Sequence, residues 1–366
     1  MFFDYETYKV IWWCLVGALL VGFALTDGFD FGIGIFLPLL GRNDEERGAI
    51  LHSIAPTWEG KHIWLIASGA CLFAAWPLLY RPALSGFSLA LMLCLSALLF
   101  RPLGFRLRHQ LGARQRRAWD CGLFAGGLLP PLVFGITFGN LLQGVPFTFD
   151  DSMRLQYSGS FASLLNPFGL LAGLLSVSML ALHGATWLQQ QSGGALRARA
   201  RKAVILAAVA TTVLFAAAGV WIALGIEGYR IDTMPDVGSR FMPITKMVGR
   251  ASGAWLDNYT RWPLTLALPI AAFAGALLSI HFSVRDQARA AFVASGVTVA
   301  AIILTAGAAM FPFVLPSSLA PGSSLTAWDA VASHASLATM FWTVVATMPV
   351  IICYTSWVQR LVRRSR

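Results

Sequence analysis

The chain has 366 residues, of which 57% are hydrophobic and only 12% are charged. Soluble proteins carry about 25% charged residues, so this composition excludes an ordinary soluble domain. The net charge of +10 does not indicate nucleic-acid binding, because the lysines and arginines lie between apolar runs, where they set membrane topology. Apolar runs of about 20 residues recur along the whole length, which predicts an all-α polytopic membrane protein. We expect residues 1–366 to form a single integral membrane domain.

About nine transmembrane helices are predicted from the apolar runs, since each run is long enough to cross the apolar core of a bilayer. A further apolar segment, residues 33–40, is too short to cross and is predicted to lie at the membrane interface. The loop of residues 227–261 is the longest on its side, and we expect it to form a partly ordered cap. The predicted spans are residues 10–26, 62–79, 84–100, 119–138, 161–187, 203–226, 262–282, 291–313 and 335–358.

The predicted topology follows from the distribution of positive charge. Most of the 27 lysines and arginines fall in the loops on one side of the predicted spans. Because loops rich in these residues stay in the cytoplasm, the C-terminus is predicted to be cytoplasmic and the N-terminus periplasmic. An odd number of spans agrees with this orientation.

Three acidic residues at the edges of apolar segments form the most informative chemical feature of the sequence. Asp27 and Asp30 are three residues apart and share one face if the first helix continues through them. Glu59 begins the next apolar segment and can lie at the same depth. Charges near membrane depth are costly, so they usually face a protein interior, a cavity or a partner. The alternative is that all three are solvated residues at the headgroup level.

No pattern in the sequence predicts a metal site or catalytic residues within this chain. The six histidines fall in predicted loops or within a few residues of a span end, so none is expected to ligate a haem in the middle of the membrane. The five cysteines are scattered and are interpreted as packing residues, not as disulfides. The residues alone leave open a transporter, a subunit of a proton-handling enzyme, and an assembly scaffold.

A series of short motifs extends along essentially the full chain. The motifs are Ile11-Trp12-Trp13, Thr26-Asp27-Gly28-Phe29-Asp30, Gly41-Arg42-Asn43-Asp44, Ser53-Ile54-Ala55-Pro56, Trp58-Glu59-Gly60, Phe73-Ala74-Ala75-Trp76-Pro77, Phe100-Arg101-Pro102, Gly139 to Phe147, Leu165 to Leu171, Gly253-Ala254-Trp255, Leu304 to Gly307, Met310 to Val314, Ser324-Leu325-Thr326 and Trp328-Asp329. Their identity and order resemble subunit II of the cytochrome bd-type quinol oxidases.

The sequence departs from this family's pattern at a few positions near the acidic residues. Lys61 and His62 follow the Trp-Glu-Gly triplet, where the family has Asn and then Gln or Glu. Arg106 stands where the family often has Asp, and Ser88 stands where Tyr is common. Two of these changes add positive charge near the carboxyl groups, which affects the expected proton chemistry.

The resemblance implies the non-ligating subunit of a heterodimeric oxidoreductase in the bacterial inner membrane. A homologous subunit I would ligate haem b and haem d and bind the quinol, and a small single-span accessory subunit is a further expected partner. The oxidase would oxidise quinol, with ubiquinone or menaquinone as the quinone, and reduce O2 to water. Cytoplasmic protons would be consumed, which generates a proton gradient without pumping. Membrane lipids are expected partners, and nucleic acids are not.

The resemblance also implies roles for individual residues. Glu59 would be a step in the cytoplasmic proton path, with Asp30 and Asp27 as entry groups. Trp58 would lie near the head of a structural quinone. The main alternative is a stand-alone proton-coupled secondary transporter that uses the same three carboxyl groups. Such transporters tend to place charged sites at the midplane on broken helices, whereas these carboxyl groups are predicted to lie near one edge.

Overall fold

The structure is a computed structural model that describes residues 3–54, 63–108, 112–233 and 243–364. Within these residues, seven helical stretches are long and apolar enough to cross a membrane, and a shorter apolar helix covers Trp64–Ala75. The all-α polytopic class is therefore confirmed, and the predicted number of nine spans is approximate. The helices are α1 (Tyr5–Thr26), α2 (Gly28–Leu40), α3 (Asp44–His52), α4 (Ile63–Ala75), α5 (Tyr80–Arg108), α6 (Ala113–Gln143), α7 (Phe161–Leu164), α8 (Pro167–Gln191), α9 (Gly194–Leu224), α10 (Asp257–Arg261), α11 (Ala267–Val284), α12 (Ala288–Met310) and α13 (His334–Arg364).

Helices α1 and α2 form one helical stretch of 36 residues, Tyr5–Leu40, which is interrupted at Asp27. The Asp27 N–H donates four residues back to Phe23 O, whereas the Asp30 N–H donates only three residues back to Asp27 O. Residues 33–40, predicted to lie at the membrane interface, belong to α2, whose side chains are mostly buried against α6 and α8. Because α2 continues α1, it does not have to cross the membrane alone. The depth of these residues in the membrane stays a prediction.

Pairs of glycines bring α2 close to its two neighbours. A Cβ atom on Gly184 of α8 would lie 2.6 Å from the Cα of Gly32. A Cβ atom on Gly34 would lie 3.0 Å from the Cα of Gly127 in α6. Small residues let helix backbones approach closely in a membrane, where van der Waals contact drives association. These contacts hold α2 in the centre of the bundle.

Three antiparallel β-hairpins lie at the end of the bundle where α1 begins. They are β1 (Phe147–Phe149) with β2 (Leu155–Tyr157), β3 (Glu227–Thr233) with β4 (Met247–Ser252), and β5 (Phe313–Leu315) with β6 (Leu325–Thr326). The second hairpin and α10 lie within residues 227–261, for which a cap was predicted.

A buried ion pair joins this cap to the loop that follows β6. Lys246 Nζ lies 2.6 Å from Asp329 Oδ2, and both side chains are completely buried. Burial lowers the pKa of the Lys246 ammonium, while the Asp329 carboxylate opposes that shift. Lys9 of α1 donates a hydrogen bond to Trp328 O in the same region, at 2.9 Å. The start of α1 is therefore bound to the cap through polar contacts.

The opposite end of the bundle is held by ion pairs around α3. Arg108 at the end of α5 contacts Asp44 at 2.6 Å and Asp120 of α6 at 2.7 Å. Arg116 also contacts Asp44 at 2.6 Å, and Arg47 contacts Asp120 at 3.0 Å. These contacts attach α3 to α5 and α6, and so fix the end of α2 that leads into α3.

Candidate functional site

Asp27 and Asp30 meet Arg101 of α5 inside the bundle, and we call these three residues the Arg101 cluster. The Arg101 guanidinium donates two hydrogen bonds to Asp27, from Nη1 to Oδ2 at 3.2 Å and from Nη2 to Oδ1 at 2.9 Å. Nη2 also lies 3.4 Å from Asp30 Oδ2. The interruption between α1 and α2 supplies both carboxylates, and the three-residue spacing directs them to the same guanidinium.

The Arg101 cluster is almost completely removed from solvent. The exposed fractions of the side chains are 0% for Asp27, 1% for Asp30 and 3% for Arg101. The guanidinium also lies over the ring of Phe31, 4.2 Å from the ring centroid. Desolvated charges are tolerated only with close partners, and a planar guanidinium pairs with a carboxylate through two parallel bonds. The site can therefore hold charge inside an apolar bundle.

A small cavity adjoins one side of the cluster. Its volume is about 10 Å³, which is room for roughly one water molecule. Asp30 and Arg101 form its polar wall, and the remaining lining residues are Gly34, Leu51, Ile54, Leu123 and Gly127. Asp27 and Asp30 thus differ in surroundings: both oxygens of Asp27 contact the guanidinium, whereas Asp30 borders the cavity.

The structure brings together two of the acidic residues singled out from the sequence, Asp27 and Asp30. It places them at the interruption between α1 and α2 within the helical stretch Tyr5–Leu40. Their position near one edge, and with it the argument against a transporter, stays a prediction. Glu59 and Trp58 lie outside the described residues. The prediction that Arg101 is a loop charge that sets topology is wrong, because Arg101 lies inside α5 and is buried. The signal available for Arg101 was a lone arginine within an apolar run.

The buried histidine of the described residues, His183, is already hydrogen-bonded through both ring nitrogens. His183 was expected near a span end, but it lies inside α8, eight residues before the last one, with only 2% of its surface exposed. Both of its ring nitrogens already have partners, Ser295 Oγ at 2.8 Å and Leu25 O at 3.3 Å. His52 and His281 are exposed. Haem ligation requires a free ring nitrogen, and both ring nitrogens of the buried His183 have other partners.

The fold and the site define a class: a multi-span membrane subunit with a buried carboxylate–arginine cluster at a helix interruption. Residues 8–362 match the family model described as "Cytochrome bd terminal oxidase subunit II". The chain is 50% identical over 355 residues to "Cytochrome bd-I ubiquinol oxidase subunit 2" of Escherichia coli strain K12, covering 97% of this chain and 94% of the relative. It is 44% identical to "Probable cytochrome oxidase subunit 2" of Haemophilus influenzae, with the same coverage.

A solved structure with the same fold is "The structure of bd oxidase from Geobacillus thermodenitrificans". The TM-score is 0.71 at 17% identity, and the alignment covers 97% of this chain and 98% of that one. The chain belongs to the cytochrome bd terminal oxidase subunit II family.

Proposed function

We propose that this chain is subunit II of a cytochrome bd-type oxidase that oxidises quinol and reduces O2 to water. The observation that carries the proposal is 50% identity to a ubiquinol oxidase subunit over nearly the whole chain. The complex is an oxidoreductase of the respiratory chain in a bacterial membrane. None of the relatives supports a stand-alone transporter.

The partner in this proposal is a subunit I that ligates haem b and haem d. Its support on this chain is that both ring nitrogens of His183, the buried histidine of the described residues, are already hydrogen-bonded. A second support is the lipid- or partner-accessible apolar surface of α5, where Met92 and Leu99 are each 63% exposed. Small residues of α8 are not available for that contact, because Gly169 and Gly173 pack against α6 within the chain. A small accessory subunit and bound lipids complete the proposed assembly.

The proposed orientation has the N-terminus in the periplasm and the C-terminus in the cytoplasm. It rests on the excess of arginine in the loops at the end opposite the β-hairpins. In this orientation the Arg101 cluster lies toward the cytoplasmic side, because the chain starts in the periplasm and passes through the 22 residues of α1 before it reaches the cluster.

Cytoplasmic protons would reach the complex through Glu59, with Asp30 and Asp27 as the groups that precede it. The support is the burial of both aspartates and the water-sized cavity beside Asp30. Asp27, bonded through both oxygens to Arg101, holds the guanidinium in place, while Asp30 is better placed to exchange a proton. Trp58 would contact the head of a structural quinone, ubiquinone or menaquinone.

Substitution of Glu59 tests the proton path in the assembled oxidase. Glu59→Gln keeps the size and the hydrogen bonds of the side chain but cannot carry a proton, whereas Glu59→Asp keeps the acid. We expect the Gln variant to lose most quinol oxidase turnover with its haem spectrum intact, and the Asp variant to keep most of it. Full turnover in a well-assembled Gln variant would remove Glu59 from the path and leave it as an acidic residue near a helix start.

A further inference from the structure

A second polar cluster lies at the α1–α2 interruption, and the function proposed above does not use it. His183 of α8 contacts Leu25 O in the last turn of α1 through Nε2, at 3.3 Å. Its Nδ1 lies 2.8 Å from Ser295 Oγ of α12. The hydroxyl of Thr186 lies 2.9 Å from the same Ser295 oxygen. These contacts join three helices around one imidazole.

The carbonyl of Leu25 lies in the last turn of α1 and contacts His183 Nε2. The last four carbonyls of a helix have no partner within that helix, and a buried carbonyl without a hydrogen bond is costly. At the end of α1 the Phe23 carbonyl accepts from the Asp27 N–H. The Leu25 carbonyl, two residues before Asp27, accepts from an imidazole that belongs to another helix. The backbone that carries Asp27 is thereby tied to α8.

The hydrogen bonds define the tautomer of the ring. A carbonyl oxygen can only accept, so Nε2 of His183 carries the hydrogen that is donated to Leu25 O. Nδ1 lies 2.8 Å from Ser295 Oγ, and the Ser295 hydroxyl also lies 2.8 Å from Phe292 O, to which it can donate. Ser295 is thus the α12 partner of the second ring nitrogen.

The imidazole is also held in its orientation by packing. The ring of Phe292 stacks on it with centroids 4.5 Å apart and an interplanar angle of 11°. Phe29, between the two aspartates in sequence, meets it edge to face at 6.0 Å. The next residue in α8, Gly184, makes the close backbone contact with Gly32. The ring therefore has little freedom to move away from α1 and α2.

We propose that His183 is a positioning residue for the Arg101 cluster. By binding Leu25 O it holds the end of α1, and so sets the direction in which Asp27 and Asp30 project toward Arg101. The inference rests on the proposed role of these aspartates in proton delivery. In this proposal His183 affects proton-coupled turnover indirectly, through the position of the two aspartates.

Two substitutions separate the two hydrogen bonds of the ring. His183→Gln places an amide N–H near the position of Nε2 and can keep the bond to Leu25 O. His183→Asn places its amide near Nδ1, so it can reach Ser295 but not Leu25. In the purified oxidase complex we expect the Asn variant to lose about tenfold in turnover, the scale of one hydrogen bond lost from a buried group. Its haem spectrum should be retained and its pH–activity profile displaced, while the Gln variant keeps most of the turnover and the original profile.

Equal activity and equal pH profiles in the Asn and Gln variants would overturn the inference. If His183→Asn does not assemble, Ser295→Ala decides the question, because it removes the side-chain partner of Nδ1 that helps to hold the ring against Leu25 O. Unchanged turnover and pH profile in that variant overturn the inference, and a partial loss with a displaced profile supports it. Asp30→Asn, measured in parallel, separates the two proposals. If it slows turnover while the His183 variants do not, only the positioning role fails; if it has no effect, the aspartates' proton role fails first.

Discussion

Replacement of Arg101 by methionine tests whether the Arg101 cluster is held together by charge. Methionine keeps most of the length of the side chain and its packing on Phe31, but it removes the guanidinium from two carboxylates that are 0% and 1% exposed. Removal of one partner from a buried ion pair costs about 3–5 kcal/mol, because the remaining charge stays in a poorly solvated place. That is a large part of the about 5–15 kcal/mol by which native proteins are stable.

The assay is the thermal denaturation of the purified oxidase complex, followed by the loss of its monodisperse peak in size-exclusion chromatography. Arg101→Met should lower the midpoint by many degrees, and the double variant Arg101→Met/Asp27→Asn should recover part of the loss because one buried carboxylate is gone. The matched control is Arg116→Met, whose ion pair with Asp44 has exposed fractions of 35% and 54%. Exposed pairs contribute about 0–1 kcal/mol, so the control should remain close to the unmodified complex. Equal midpoints for the two single arginine variants would refute the reasoning.

Three further outcomes are expected. Gly184→Ala should lower stability by about 1–3 kcal/mol, because the added Cβ would lie 2.6 Å from the backbone of α2, which cannot move away. The control is Gly219→Ala in α9, whose added Cβ would have nothing within 4 Å. It should leave stability unchanged or raise it by up to about 1 kcal/mol. Thermal midpoints check both, and a stable Gly184→Ala complex would contradict the close packing of α2. Lys246→Met should lower the stability of the cap by about 3–5 kcal/mol and so make it more sensitive to protease. A second change, Asp329→Asn, should restore part of the resistance to cleavage. Equal cleavage of the single and double variants would show that the pair is unimportant. The chain expressed without its partner should show no stoichiometric b-type haem in its absorption spectrum, and a full haem band would show that its histidines ligate after all.

The membrane class and most spans followed from hydropathy alone, because an apolar run of about 20 residues has few other stable arrangements. The position of Asp27 and Asp30 on one helix face was also predictable, since a spacing of three is a local property of the helix. Arg101 was not predictable as their partner. It is 74 residues away from Asp27 in sequence, and the pairing depends on how α5 packs against the α1–α2 interruption.

The burial of His183 was missed for a related reason. The predicted span of residues 161–187 ends before Gln189, which placed His183 within a few residues of a span end. In the structure Gln189 is fully buried: its Nε2 donates to Ser283 O at 3.0 Å, and its Oε1 accepts from the Ser283 hydroxyl at 2.6 Å. A polar side chain with both hydrogen-bonding groups satisfied can stay inside the bundle. A hydropathy scale gives the amide an unfavourable value, but it does not include the hydrogen bonds that the amide makes to another helix.

The interruption at Asp27 connects these observations. A continuous helix would use its own carbonyls and would present Asp27 and Asp30 on a straight axis. An interrupted helix in an apolar bundle exposes backbone groups that other helices must satisfy, and here an imidazole from α8 binds the Leu25 carbonyl. It also allows both carboxylates to converge on one guanidinium from α5. The positions of both carboxyl groups are therefore set by contacts from α5 and α8, outside the helices that carry them.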